Sequence, residues 1–124
     1  MRVLLDTHAL IWALEDSERL SDRARELIVD LENQILVSAT SAIEIAIKRS
    51  LQKLEAPYDL LHAIEVAGFI PITVDFATAE RLASLPFHHR DPFDRLLIAQ
   101  ALTEGVPIVT RNPAFDAYLV STIW

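Results

Sequence analysis

Three acidic side chains occur in separate parts of the sequence, at places where they could bind a hard metal ion. Asp6 follows the apolar run VLL, Glu44 lies within SAIEIAIK, and Asp94 begins the apolar stretch of RDPFDRLLIAQA. Carboxylates that converge in a partly buried place raise one another's pKa unless a cation neutralises them. Oxygen ligands favour Mg²⁺ or Mn²⁺, and such an ion can acidify a bound water and hold a phosphoryl oxygen, the chemistry of phosphodiester hydrolysis.

Each acid also has a purely structural explanation. Asp91 and Asp6 are placed to cap helices, and Asp94 suits the first turn of a helix. The segment from Ser41 to Glu44 matches a capping box, and Lys48 could pair with Glu44 from four residues away. Taken singly, capping explains each acid at least as well as chemistry does. Glu44 fits this explanation least, because an unpaired charge in so apolar a helix would be costly to bury.

The elements that would position these acids follow from five apolar runs, at residues 3–5, 35–37, 69–73, 106–110 and 119–123. These runs are continuous rather than alternating, which is typical of parallel strands covered on both faces. The stretches between them have helical periodicity. We therefore predict an α/β fold in which helices flank a central, mostly parallel five-stranded sheet, with residues 1–124 forming one domain.

Local signals predict where several of the helices begin, end and face the core. Helices are expected to begin near His8, at Ser21 and at Ser41. Three more helices are expected, over residues 58–67, over residues 75–85 and from Asp91 to Gly105. The side chains predicted to face inward are Ala24, Leu27, Ile28 and Leu31 in the second helix, Leu60, Leu61, Ile64 and Ala67 before Gly68, and Phe76, Ala79, Leu82 and Ala83 in the fifth.

In an open parallel sheet, ligands bind at the carboxyl edge of the strands. We expect Asp6, Glu44 and Asp94 at this edge, where Asn112 would follow the fourth strand and position water or metal. Nearby polar and basic side chains are candidates for holding a phosphate backbone. These candidates are Thr7, Arg90, Arg95, Thr110 and Arg111.

Composition limits the possible functions. A net charge of −7 over 124 residues argues against a broad electrostatic footprint for nucleic acid, so any such contact must be local. The absence of cysteine excludes thiolate nucleophiles and thiolate metal sites, and it suits a reducing cytoplasm. No apolar run approaches the ~20 residues of a membrane span. We expect a cytoplasmic protein without a membrane segment.

The motifs LLDTHALIWAL, SAIEIAIK, RDPFDRLLIAQA and VPIVTRN, in this order across nearly the whole chain, resemble those of the PIN-domain ribonucleases, most closely the VapC toxins. The resemblance implies a three-layer PIN-like fold and an endoribonuclease that depends on Mg²⁺ or Mn²⁺. Asp6, Glu44 and Asp94 match the family's acidic residues. It further implies an RNA substrate, a homodimer and silencing by a cognate antitoxin.

The sequence departs from the family pattern at one position. Family members often have an acid just after the fourth strand, in a TxD pattern, and Asn112 stands there in TRN. An amide adds no charge, which leaves the number of metal ions open. Asp91 or Asp116 could compensate, although Asp116 is expected at an ordinary surface position.

Histidines and aromatic residues have less specific interpretations. His8 could cap a helix, contact substrate or take part in catalysis, while His88 and His89 are expected along the approach to the site or in solvent. Trp12, together with Phe76 and Phe87, is expected in the core. Trp124 is assigned to a dimer or antitoxin contact.

Two other function classes stay open. One is a binding module of the same fold whose activity is weakened, with Asn112 as the sign of that loss. The other is a phosphoryl-transfer domain with Asp6 as nucleophile. The second lacks support, because the chain has neither a DxDxT motif nor any lysine after Lys53.

Overall fold

Five parallel strands form the centre of the computed structural model, which describes residues 1–57 and 59–124. The strands are β1 (Arg2–Leu5), β2 (Gln34–Ser38), β3 (Ile70–Ile72), β4 (Ile108–Val109) and β5 (Thr122–Ile123). Their spatial order is β3-β2-β1-β4-β5, and every pairing among the described strands is parallel. The predicted five-stranded α/β sheet is confirmed, although β3, β4 and β5 are shorter than their apolar runs.

Helices connect successive strands, and local capping signals set most of their ends. Five of the helices are capped at their start by a side-chain oxygen, from Asp6, Ser21, Asp59, Asp75 and Asp91. Among the described residues the helices are α1 (Thr7–Leu14), α2 (Asp22–Val29), α3 (Ala39–Ser50), α4 (Leu60–Val66), α5 (Phe76–Ser84) and α6 (Pro92–Glu104), followed by a 3-10 helix (Pro113–Ala117). Gly105 ends α6 with a φ of 68°, a left-handed conformation that glycine adopts without strain.

Side chains from the two faces of the sheet enter two separate apolar clusters. Val3 and Leu5 of β1 join the cluster that α1 and α2 cover, whereas Leu4 between them joins the cluster built on α6. Strands buried on both faces explain why the apolar runs are continuous. The molecule therefore has three layers, as expected.

The start of α3 differs from the prediction. The helix begins at Ala39, and its cap is Ser38, whose Oγ accepts a hydrogen bond from the Thr40 N–H at 2.9 Å. Ser41 is already inside the helix, where its Oγ accepts from the Thr7 hydroxyl at 3.0 Å. The predicted capping box between Ser41 and Glu44 was wrong, because the last residue of β2 supplies the cap first.

Several inward-facing assignments were also wrong. Leu31 lies beyond the end of α2 and is 99% exposed, and Phe76 is 90% exposed at the start of α5. Leu61, Ala67, Ala79 and Ala83 are exposed as well. Helix α5 packs on α6, and its buried residue is Thr78. The predicted helix start at Tyr58 lies outside the described residues.

In the described part of the chain, no helix combines the length and the apolar character that a membrane crossing requires.

Candidate active site

Asp6 lies directly after β1, at the carboxyl edge of the sheet, and both of its carboxylate oxygens accept hydrogen bonds. Oδ1 accepts from the Ala9 N–H at 2.7 Å, which caps α1, and Oδ2 accepts from the Thr110 hydroxyl at 2.6 Å. The residue is only 5% exposed. Burial raises its pKa to about 6, against the opposing effect of the hydrogen bonds from Thr110 and Ala9.

Thr110 and Thr7 form part of the scaffold around this carboxylate. Both are buried. The Thr110 hydroxyl donates to Asp6 and accepts from the Asn112 N–H at 3.0 Å, while the Thr7 hydroxyl donates to Ser41 and joins α1 to α3. The sequence suggested both threonines as phosphate contacts. The structure instead engages both hydroxyls inside the protein.

Glu44 lies in α3 with a carboxylate that is almost entirely buried, at 3% exposure. Its Oε2 accepts a hydrogen bond from the Lys48 Nζ at 2.5 Å, and this bond raises the pKa of Lys48. Its Oε1 is buried and has no hydrogen-bond partner among the described residues. A buried carboxylate oxygen without a partner is uncommon and calls for an explanation such as an ion.

Asp94 lies in the first turn of α6, where the Asp91 side chain caps the helix. Oδ1 of Asp91 accepts from the N–H groups of Phe93 and Asp94, at 2.8 and 3.0 Å. Oδ2 of Asp94 contacts Nε2 of His89 at 2.9 Å. Burial raises the pKa of Asp94, and the negative charges of Asp91 and Glu44 raise it further against the effect of His89.

The three predicted acids are close enough for their charges to act on one another. Asp94 raises the pKa of Asp6, and Glu44 raises that of Asp94. Among the described residues, no three acidic, histidine or cysteine side chains are already arranged as a metal-binding group. The donor set nevertheless fits a hard divalent cation, because the acids repel one another and one buried oxygen of Glu44 has no partner.

Comparison with known proteins identifies the family. The chain matches the PIN domain over residues 3–118. It belongs to the PIN-domain family. A curated relative, ribonuclease VapC22 of Mycobacterium tuberculosis, is 31% identical over 118 residues, which cover 89% of this chain and 86% of the relative.

Solved structures of low sequence identity share the PIN fold. VapBC2 from Rickettsia felis, bound to a DNA fragment from the promoter, superposes with a TM-score of 0.73 at 15% identity and covers 100% of this chain and 99% of its own. FitAcB from Neisseria gonorrhoeae gives a TM-score of 0.67 at 19% identity, with 98% and 96% covered. These similarities show that the architecture is that of a whole PIN domain.

Arg95, which the sequence suggested as a phosphate contact, is buried in this PIN domain. Its guanidinium is buried and donates to the Pro86 carbonyl at 2.8 Å, the Leu85 carbonyl at 3.3 Å and the Tyr118 hydroxyl at 3.2 Å. It also lies 4.4 Å from the centre of the Phe87 ring. These bonds engage the guanidinium inside the protein, so the structure gives no support to the assignment of Arg95 to RNA. Arg90 and Arg111 are exposed.

Tyr118 is a site residue that the sequence reasoning missed. Its hydroxyl accepts from the backbone N–H groups of His88 and His89, at 3.1 and 2.9 Å, in addition to Arg95. This buried hydroxyl fixes the segment from which His89 reaches Asp94. The only sequence signal was an aromatic residue with a polar tip, because its partners lie 23 to 30 residues away.

Asn112 uses its side chain in two directions. Oδ1 accepts from the Ala114 N–H at 3.0 Å and caps the 3-10 helix, while Nδ2 donates to Oδ2 of Asp94 at 3.4 Å. The amide thus faces Asp94 with a donor where a carboxylate would add charge. Asp116 is exposed and accepts from the Thr122 hydroxyl at 3.2 Å, as expected for a surface position.

Two cavities flank the carboxyl edge. The smaller, of about 270 Å³, is lined by Asp6, His8, Trp12, Arg111 and Asn112. The larger, of about 420 Å³, is mostly apolar and lies between the start of α3, the end of β3 and α4. Of these two cavities, only the smaller has ionisable side chains in its lining.

Proposed function

We propose that this PIN-domain protein is an endoribonuclease toxin that cleaves RNA phosphodiester bonds and is neutralised by a cognate antitoxin. The observation that carries the proposal is the acidic group of Asp6, Glu44 and Asp94, with the partnerless Oε1 of Glu44. The family membership and the ribonuclease name of the M. tuberculosis relative support the same reading. One solved structure of this fold is a toxin-antitoxin complex from Klebsiella pneumoniae.

Asp6, Glu44 and Asp94 would hold Mg²⁺ or Mn²⁺, in keeping with the general dependence of these ribonucleases on a divalent metal. When bound, the ion would supply a Lewis acid for water and for a phosphoryl oxygen. Lys48 holds Glu44 in place from the next turn of α3, at 2.5 Å. Thr110 holds Asp6 and His89 contacts Asp94, so each of the three carboxylates has a positioning contact within the protein.

Local contacts of this chain would bind the RNA, since its net charge is −7. Arg90 is exposed and precedes Asp94 closely in sequence, and the exposed Arg111 lines the cavity beside Asp6. His89 and Asn112 both contact Oδ2 of Asp94, so they would orient that carboxylate. Arg90 and Arg111 would thus contact the phosphate backbone, while His89 and Asn112 contact Asp94.

The proposal includes a homodimer and a cytoplasmic location. Exposed apolar side chains on one stretch of α3 and just after it support a protein partner at this surface, because soluble monomers rarely leave such patches uncovered. These side chains are Ile43, Ile47 and Leu51.

Cleavage assays with matched acid-to-amide variants test the function. Purified protein is incubated with total cellular RNA in Mn²⁺, in Mg²⁺ and in EDTA. Wild type is expected to cleave only with metal, and Asp6→Asn and Asp94→Asn are expected to be inactive. Asp75→Asn is the control, since it changes an exposed helix cap by the same chemistry. Cleavage by both site variants at the wild-type rate would refute the proposal.

A catalytically weakened binding module is the second candidate, and Asn112 favours it because its oxygen is used in capping. Calorimetry with Mn²⁺ separates the two. A binding module would show no heat of binding and no thermal stabilisation. An aspartate nucleophile is poorly supported, since both oxygens of Asp6 accept hydrogen bonds in a buried position.

A further inference from the structure

We infer that the cavity beside Asp6 is a nucleobase subsite, in which one base of the RNA stacks on Trp12 and His8 while Arg111 contacts the adjoining phosphate. This inference rests on the proposed ribonuclease function and adds to it a binding site for one base of the substrate.

The lining of the cavity combines the groups that a nucleotide needs. Trp12 and His8 provide aromatic rings, Arg111 provides a cation, and Asp6 provides a candidate metal ligand. Its volume of about 270 Å³ lies just below the volumes typical of ligand pockets, which begin at about 300 Å³. The space thus suits one planar ring system beside the reacting phosphate.

The two rings are prearranged by α1. His8 and Trp12 lie one turn apart, with ring centres separated by 5.6 Å and planes tilted by 37°. Trp12 also packs against the apolar cluster on that side of the sheet and meets Trp124 edge-on at 5.8 Å. Trp124 supports the indole without being among the residues that line the cavity. The expectation that Trp12 belongs to the core therefore describes only part of its surface.

Arg111 is positioned by the same contacts that fix Asp6. It directly follows Thr110, whose hydroxyl donates to Asp6, and precedes Asn112, which reaches Asp94. The Arg111 side chain is exposed and forms no ion pair with any described residue. A cation in this position can bind phosphate, which a net charge of −7 otherwise repels.

A base is favoured over a side chain of a protein partner for a physical reason. An apolar peptide side chain would find a larger and almost wholly apolar space in the cavity lined by Leu60, Leu61 and Ile64. The cavity beside Asp6 is instead charged at one end and aromatic at the other. Stacking on an aromatic side chain contributes about 1–3 kcal/mol per base and tolerates any sequence.

Binding of short RNA in EDTA tests the subsite without cleavage. The probes are hexamers of each of the four ribonucleotides and an abasic ribose-phosphate hexamer of equal length. In a Trp124→Phe protein, where Trp12 is the remaining tryptophan, at least one base-containing hexamer is expected to quench the emission. The abasic hexamer is expected to leave it unchanged.

Variants then assign the binding energy. Trp12→Leu is expected to weaken hexamer binding by about 5- to 150-fold, the factor that corresponds to about 1–3 kcal/mol of stacking. Trp12→Phe should keep most of the affinity, which also guards against a mere loss of folding. Phe76→Leu is the matched control, because it changes an exposed aromatic residue outside the cavity. Arg111→Gln should weaken binding of the abasic hexamer as well.

The possible results separate this inference from the proposed function. If wild type and folded Trp12→Leu bind and cleave RNA equally, the subsite is refuted and the ribonuclease stands. If Trp12→Leu keeps its RNA affinity but loses binding to the antitoxin, the subsite is also refuted, in favour of a protein occupant. If base-dependent quenching occurs but wild type cleaves no RNA with any metal, the subsite stands and the nuclease proposal fails.

Discussion

Replacing Asp6 by asparagine should stabilise the protein while it abolishes cleavage. The carboxylate is 5% exposed, and burial raises its pKa from 3.8 to about 6. At 1.36 kcal/mol per pKa unit, this rise corresponds to a cost of about 3 kcal/mol for keeping the charge buried at neutral pH. An amide carries no such charge.

The hydrogen bonds around Asp6 should survive the substitution. The asparagine oxygen can still accept from the Ala9 N–H, since asparagine and aspartate cap helices about equally well. The amide nitrogen would then face the Thr110 hydroxyl, which can turn to accept instead of donate. We therefore expect a net gain of about 1–3 kcal/mol at pH 7.5, the upper value being the whole cost of the buried charge.

The pH dependence gives this prediction its sign. Below pH 3.8 the carboxyl is protonated in the folded and the unfolded chain, so the two proteins should differ little. Between pH 3.8 and about 6 the unfolded chain ionises first, so wild type should lose stability relative to Asp6→Asn as the pH rises. Above pH 6 the difference should stay constant.

Urea denaturation in EDTA, at several pH values from 3.5 to 8, measures the difference. The control is Asp75→Asn. A hydrogen bond from the Thr78 backbone lowers the pKa of Asp75, so its loss should destabilise the protein at neutral pH and act in the opposite direction. Our reasoning is refuted if Asp6→Asn is less stable than wild type at pH 7.5, or if the difference does not change with pH.

Three further substitutions test other parts of the site. Asn112→Asp should tighten Mn²⁺ binding severalfold in calorimetry, because it adds a charge beside Asp94; unchanged affinity would place Asn112 outside the metal site. Lys48→Met should lower the free energy of unfolding, measured by urea denaturation, by about 2 kcal/mol. This loss is smaller than for a fully buried pair because Lys48 is partly exposed. Adding Glu44→Gln should restore most of the lost stability, because it removes the unpaired buried charge. Tyr118→Phe should cost about 1–3 kcal/mol and slow cleavage at temperatures where the variant stays folded; an unchanged rate would mean that His89 needs no such support.

Most of the architecture could be predicted because its signals are local. The five strands lie within or overlap the five apolar runs. Helices begin at Ser21 and Asp91 and one ends at Gly105, as expected. The predictions that were wrong concern which side of a helix is buried, and this depends on packing against elements that are distant in sequence. The periodicity of α5 suggested that Phe76 faces inward, but which side of a helix is covered depends on its neighbours. No pattern within α5 could show that Thr78 would be its buried residue.

The acids of the site were predictable for a topological reason, whereas their partners were not. Parallel strands end at one edge, so Asp6 and the start of α6 had to lie near each other. The contacts that hold them depend on side chains from the chain's far end. Tyr118 fixes the backbone of His89 from 29 residues away, and Arg95 turns inward because the hydroxyl of Tyr118 and two carbonyls meet it there.

Capping and chemistry are not alternatives at this edge of the sheet. A helix that follows a parallel strand begins where ligands bind, so a cap and a ligand are needed in the same place. Asp6 serves the helix through Oδ1 and accepts from Thr110 through Oδ2. At α6 the two tasks are divided, since Asp91 caps the helix and leaves Asp94 to His89 and Asn112. Removing the charge of Asp6 while keeping its cap should therefore separate the proposed function from folding at a single residue.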